Sequence, residues 1–289
     1  MQPISRRVTG SQGLDLHLLE WSREGVPMLL VHGFGNEAHI WQDFAVEVAA
    51  YYRVLGLDQR GHGESGWPLH GEYEYSHFMA DLDAVFENLS IERAVLVGHS
   101  LGGRVCMLYA GEHPEKVAGL VIVDSAPELD ARGTTRIQMD VGQHRDPSFA
   151  SVSEYEQMLL HNYPAAPPSV IANMAKHSLK QREDGRWILK MDPALRGAVG
   201  TTETPEQRAE REKATSQALW DALEKVACPS LVVRGAASDI MSADVADRML
   251  EVLGDNSQLA VVPRAGHSVM TDNPSGFNEA VLGFALGES

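Results

Sequence analysis

The hydropathic pattern of the chain alternates between two kinds of segment. Short, nearly all-apolar runs lie at Pro27–Gly33 (PMLLVHG), Arg53–Gln59 (RVLGLDQ), Arg93–His99 (RAVLVGH), Val117–Ser125 (VAGLVIVDS), Pro229–Gly235 (PSLVVRG) and Gln258–Arg264 (QLAVVPR). They are rich in β-branched residues and lack period-two alternation, so they read as strands covered on both faces. Helix-period stretches lie between and after them, at Ile40–Ala50, Ser76–Leu89, Leu101–Glu112, Ser242–Leu253 and Ser275–Leu286. Such alternation predicts an α/β fold with a mostly parallel, doubly wound sheet and right-handed crossovers. The first 21 residues differ: ISRRVT (Ile4–Thr9) and LDLHLLEW (Leu14–Trp21) flank the turn-forming GSQG, predicting an antiparallel hairpin at the sheet edge.

Between Ser125 and Pro229 the alternation stops for about 100 residues, far beyond an ordinary connection. This region is rich in proline and holds amphipathic stretches at Val152–Tyr163, Pro168–Lys180 and Pro205–Val226; Asp184–Pro193 reads as a turn and an extended segment. The expected organisation is a core domain of residues 1–125 and 229–289 with a helical cap inserted at 126–228, its last helix returning to the core.

Hydrophobic residues make up 44% and charged residues 22% of the chain, which supports a sizeable buried core. Two cysteines are too few for a disulfide framework. With 24 basic and 40 acidic residues the net charge is −16, which repels nucleic-acid phosphate and anionic lipid. The N-terminus lacks the apolar stretch of a secretory signal, and the longest apolar run, VAGLVIV (Val117–Val123), falls far short of the roughly 20 residues that span a bilayer. The expectation is a cytoplasmic protein with no nucleic-acid or membrane partner. Its oligomeric state is not set by sequence.

The chemistry concentrates where RAVLVGH runs into GHSLGG (Gly98–Gly103) and then a helix. This is a G-x-S-x-G nucleophile elbow. A serine on so sharp a strand-to-helix turn needs glycine two residues away on either side, here Gly98 and Gly102, to avoid collision. The helix start then aims backbone N–H groups at the reacting atom.

Four further motifs accompany it in order: HGFG (His32–Gly35), DQRGHGES (Asp58–Ser65), RGAASD (Arg234–Asp239) and AGHSV (Ala265–Val269). With them the chain resembles the α/β-hydrolase superfamily, in its capped serine esterase and epoxide-hydrolase-like branch, over nearly its whole length. The resemblance implies Ser100 as nucleophile, His267 as general base and Asp239 as the acid that orients it. Asp124, at the end of GLVIVD, is the rival for the acid, because both positions keep the order serine, acid, histidine. It also implies an oxyanion hole from the backbone N–H groups of Phe34 and Leu101, with His32 shaping the loop. Asp58 and His62 match no metal-ligand spacing and read as structural. No metal and no cofactor is expected.

Phe34, Trp41, Ile240, Met241, Val269 and Met270 neighbour these positions in sequence and are expected to form the substrate-binding wall. In the cap, Met139, Met158, Met174, Tyr155, Tyr163 and Trp187 either line a pocket or form the cap's own core. Related epoxide hydrolases and dehalogenases attack with a carboxylate, whereas serine stands at position 100. The expected activity is therefore hydrolysis of small to medium, largely apolar esters or lactones through an acyl-enzyme. Carbon–carbon bond hydrolysis of ring-cleavage products, or ligand binding without turnover, are the alternatives.

Overall fold

The computed structural model describes residues 1–136, 148–197 and 204–287. Strands are numbered in chain order: β1 (Ile4–Thr9), β2 (Asp15–Glu20), β3 (Val26–Val31), β4 (Tyr52–Leu57), β5 (Ala94–His99), β6 (Val117–Val123), β7 (Ser148–Phe149), β8 (Leu179–Gln181), β9 (Trp187–Leu189), β10 (Ser230–Gly235) and β11 (Ser257–Val262). Eight of them form one sheet in the order β1-β2-β4-β3-β5-β6-β10-β11. From β4 to β11 across the sheet every neighbouring pair is parallel, while β1–β2 and β2–β4 are antiparallel. The predicted hairpin is β1–β2, in register from Ile4↔Glu20 to Thr9↔Asp15.

The apolar runs are continuous because each strand feeds two cores. Leu29, Val31, Leu55, Leu96, Ile122 and Val232 face one side, with helices Tyr75–Asn88, Leu101–Glu112 and Ala243–Leu253 over them. Met28, Leu30, Val54, Val97, Val121 and Val233 face the other, under helices Gln42–Val48 and Pro274–Leu286. Successive strand residues point to opposite faces, so both sets of alternate positions are buried. β11 is the exception: at the sheet edge it is only partly covered, and Val261 is 50% exposed.

Residues 148–197 form a smaller layer. β7, β9 and β8 pair antiparallel beside helices Val152–Asn162 and Pro168–His177, around a cluster that includes Phe149, Tyr155, Leu159, Ile171 and Met174. The Asp184–Pro193 segment supplies β9 and the turn at Gly185, whose φ of +83° suits glycine. This layer is fastened to the DQRGHGES segment by the Asp192 N–H donating to the Gly61 carbonyl at 2.8 Å and by a His62–Met191 bridge. Helix Pro205–Leu223, opened by a Thr204/Gln207 capping box, puts Leu219 and Leu223 into the core beside helix Leu101–Glu112. The two helices meet closely at Gly111, where a Cβ would lie 2.6 Å from the Ala222 carbonyl oxygen. Among the described residues no helix is long and apolar enough to cross a membrane.

Candidate active site

Ser100 sits between β5 and helix Leu101–Glu112 with φ 51° and ψ −115°, a left-handed conformation rare for a non-glycine residue. The expected collisions are real. A Cβ on Gly98 would lie 2.5 Å from the Gly102 carbonyl oxygen, and one on Gly102 would lie 2.2 Å from the Val31 carbonyl oxygen. Glycine at 102 lets the helix approach β3, and glycine at 98 lets β5 turn tightly into that helix. Gly33 is equally tight, its hypothetical Cβ 3.1 Å from the Ser100 Cβ, so the loop after β3 lies against the elbow.

His267 follows β11 and turns back onto Ser100. The Ser100 hydroxyl donates to His267 Nε2 at 3.0 Å, and His267 Nδ1–H donates to Asp124 Oδ2 at 2.8 Å. The carboxylate that meets His267 is thus Asp124 and not the expected Asp239. Asp124 lies just past β6 with φ 43° and a fully buried carboxylate. That carboxylate also accepts from the Gly235 N–H at Oδ1 (3.1 Å) and from the Ser238 hydroxyl at Oδ2 (2.7 Å). The β10 loop thus braces the carboxylate that meets His267 instead of supplying it. Asp239 is instead gripped bidentately by Arg136 at 2.7 and 2.9 Å. That guanidinium holds the Asp239 carboxyl below the usual carboxylate range. β6 and β10 are adjacent and parallel, so a carboxylate at either strand end reaches the same neighbourhood, and sequence order cannot choose.

Three buried histidines hold the surrounding loops as neutral rings. His32 Nδ1–H donates to the Gly33 carbonyl (2.7 Å) while Nε2 accepts from the Gln59 N–H (3.0 Å). His62 Nδ1–H donates to the Arg60 carbonyl (3.0 Å) while Nε2 accepts from the Gly35 N–H (3.1 Å). Together they shape the His32–Asn36 loop. His99, beside the nucleophile, donates from Nε2–H to the His267 carbonyl at 2.9 Å. Desolvation lowers the pKa of each, to about 3 for His62 and well below the usual value for His99. Asp58 is structural, accepting from His17, from the Ala38 N–H and from the Glu64 N–H. Among the described residues no group of three or more His, Cys, Asp or Glu could hold a metal.

Two cavities meet at Ser100. The wider, of about 650 Å³, contains Phe34, His267, Arg136, Asp239, Asp272 and, from the smaller layer, His161–Ala165. The second is a niche of about 140 Å³ bounded by Tyr75, Leu101, Arg104, Leu129 and Ile240. Of the wall residues expected from sequence, Phe34 lines the wide cavity and Ile240 the niche. Trp41, Val269 and Met270 instead pack into the core beneath the sheet, with Trp41 against Phe277, and Met241 packs into the opposite core. Their neighbours in sequence reach the site, but their own side chains turn inward to cover the sheet. The wide cavity is consequently more polar than expected. In the smaller layer Tyr155 and Met174 belong to the local core, and Met158 and Trp187 pack at its margin. Tyr163 does so too and also lines the wide cavity. Met139 lies outside the described residues. Sequence reasoning missed Arg136, Ser238 and His99. Only the serine beside Asp239 and the histidine beside Ser100 could have drawn notice, and neither carries a signal without its partner.

A family model described as "alpha/beta hydrolase fold" matches residues 26–274. Among curated relatives, the 2-(acetamidomethylene)succinate hydrolase of Mesorhizobium japonicum is 26% identical, covering 97% of this chain and 95% of the relative. The pimeloyl-[acyl-carrier protein] methyl ester esterase of Pectobacterium carotovorum is 28% identical, covering 92% and 98%. Among solved structures, E-2-(acetamidomethylene)succinate hydrolase superposes with a TM-score of 0.83 at 25% identity, covering 98% of this chain and 99% of the other.

Proposed function

Because the chain belongs to the alpha/beta hydrolase family, we propose that it is a serine hydrolase that cleaves carboxylic esters through an acyl-enzyme. The observation that carries this reading is the unbroken relay from the Ser100 hydroxyl through His267 to the buried Asp124, with both hydrogen bonds at 3.0 Å or less. An esterase among the relatives supports the same chemistry.

On this reading Ser100 Oγ attacks the ester carbonyl carbon while His267 Nε2 takes its proton. The imidazolium that forms is stabilised by Asp124, whose other lone pairs are already engaged. The carbonyl oxygen becomes an oxyanion between the N–H groups of Phe34 and Leu101. Leu101 is the first residue of its helix, so its N–H has no carbonyl partner within that helix. His32 and His62 set the Phe34 loop by holding its flanks, Gly33 and Gly35. The C–O bond to the alcohol breaks as His267 returns the proton to the leaving oxygen. Water then repeats the cycle on the acyl-enzyme and releases the acid. Residues 148–197 act as the lid of this site, through which the alcohol portion contacts His161–Ala165.

The test is hydrolysis of p-nitrophenyl esters by the wild type beside Ser100→Ala. Steady turnover that disappears in a variant with an unchanged melting temperature is expected. Retained turnover in Ser100→Ala would refute the nucleophile.

A further inference from the structure

The two cavities at Ser100 are unequal in size and character, and only the wider one is lined by His267. The proton acceptor of the mechanism must also deliver that proton to the departing oxygen, so the leaving alcohol lies on the side of Ser100 that holds His267 Nε2. His267 belongs to the wide cavity of about 650 Å³, together with Gly266, Ser268 and Asp272. The niche of about 140 Å³ holds Ser100 and Leu101 but not His267. The alcohol portion therefore takes the wide cavity, and the acyl chain is left with the niche.

We infer that this enzyme is specific for short, uncharged acyl groups, of about four carbons at most, joined to comparatively large and polar alcohols. The inference rests on the serine-esterase reading above. At the roughly 30 Å³ that a water molecule occupies in the liquid, 140 Å³ accommodates about four or five carbon-sized atoms. The niche wall is supplied mainly by Leu101, Leu129, Ile240 and the ring of Tyr75, with Asp124 and Ser125 beside Ser100. Arg104, the one cation among the described residues that line it, is already engaged. Nε–H donates to the Ala126 carbonyl at 3.1 Å, Nη2–H to the Pro127 carbonyl at 3.3 Å and Nη1–H to the Tyr75 hydroxyl at 3.4 Å, with Glu212 at 3.5 Å. An acyl group ending in a carboxylate would have to displace these partners from a side chain that is almost wholly buried. The wide cavity differs, presenting the half-exposed Arg136–Asp239 pair, Asn36 and Asn162 to the alcohol.

The experiment keeps the leaving group constant and varies the acyl chain, from p-nitrophenyl acetate to octanoate, with Leu129→Trp and Ile240→Ala beside the wild type. Each added methylene buried in the niche is expected to raise kcat/KM by about four-fold as far as butanoate. Octanoate should then fall at least about ten-fold below butanoate, because the extra carbons have no room. Leu129 is only partly buried, so its replacement by tryptophan fills the niche with little risk to folding, and the butanoate-to-acetate ratio should drop about ten-fold. Ile240→Ala should move the optimum to a longer chain. An optimum at octanoate, or a chain-length profile unchanged in Leu129→Trp, would overturn the niche assignment while leaving the serine esterase standing. Absence of turnover on every ester would overturn the niche together with the reading it rests on.

Discussion

Asp124→Asn and Asp239→Asn are nearly isosteric changes at two carboxylates on neighbouring strand ends, yet the structure predicts opposite outcomes. Asp124 faces only donors: the Gly235 N–H at Oδ1, and the Ser238 hydroxyl and His267 Nδ1–H at Oδ2. An amide has one acceptor end. If its NH₂ faces His267, the ring must switch to the tautomer that carries its proton on Nε2, which cannot accept the proton of Ser100. If its NH₂ faces Gly235, two buried donors oppose each other, at about 1–3 kcal/mol. In a serine–histidine–aspartate triad of another fold, this substitution preserves geometry and lowers kcat by about 10⁴, equivalent to roughly 5.5 kcal/mol of barrier. The same order of loss is expected here. Asp239 pairs with an Arg136 whose side chain is 47% exposed, and such pairs contribute about 0–1 kcal/mol. Its amide still accepts from Arg136, so kcat should change by less than about five-fold. The assay is kcat on p-nitrophenyl butanoate, with thermal unfolding followed by circular dichroism to show that both variants are folded. A larger loss in Asp239→Asn than in Asp124→Asn would refute the assignment of the acid.

Two further outcomes follow from the same coordinates. Gly102→Ala puts a methyl group 2.2 Å from a β3 carbonyl oxygen and should destabilise the fold by about 3 kcal/mol or more. Gly119→Ala, whose Cβ meets nothing nearer than 3.7 Å, should cost under about 1 kcal/mol. Equal melting temperatures for the two would contradict the packing at the elbow. His32, His62 and His99 have pKa values lowered in the folded state, so below about pH 6.5 the unfolded chain binds protons that the folded chain does not, and stability is lost as pH falls. From pH 7 to 5.5 the two strongly shifted groups, His62 and His99, remove roughly 2–3 kcal/mol, and His32 adds to the loss in the same direction. Urea midpoints that stay flat over that range would refute it.

The fold was legible in the sequence wherever a local signal sufficed. The strands that become β3, β5, β6 and β10 coincide with apolar runs to within two residues because each must cover two helix layers, and a strand buried on both faces has few polar positions to confuse the reading. Ser100 was legible because a strained turn demands glycine at fixed offsets, and Gly98 and Gly102 carry that demand in the sequence itself. The three-stranded sheet of residues 148–189 was not legible as a sheet: its strands are two or three residues long and depend on partners about 6 to 40 residues away for their hydrogen bonds.

What the sequence determined by itself, then, was the order of strands and helices along the chain and the strained turn that carries Ser100: features whose physical causes act within a few residues. Which carboxylate meets His267, and which side chains wall the cavities, were decided only by tertiary structure. Asp124 and Asp239 differ by where adjacent parallel strands aim their ends, and by which side chain, Ser238 or Arg136, meets each carboxylate. Trp41, Val269, Met270 and Met241 stand close to the site in sequence but face the cores. The direction of a side chain is set by the face its element buries, and that face exists only once the sheet and its helices have packed.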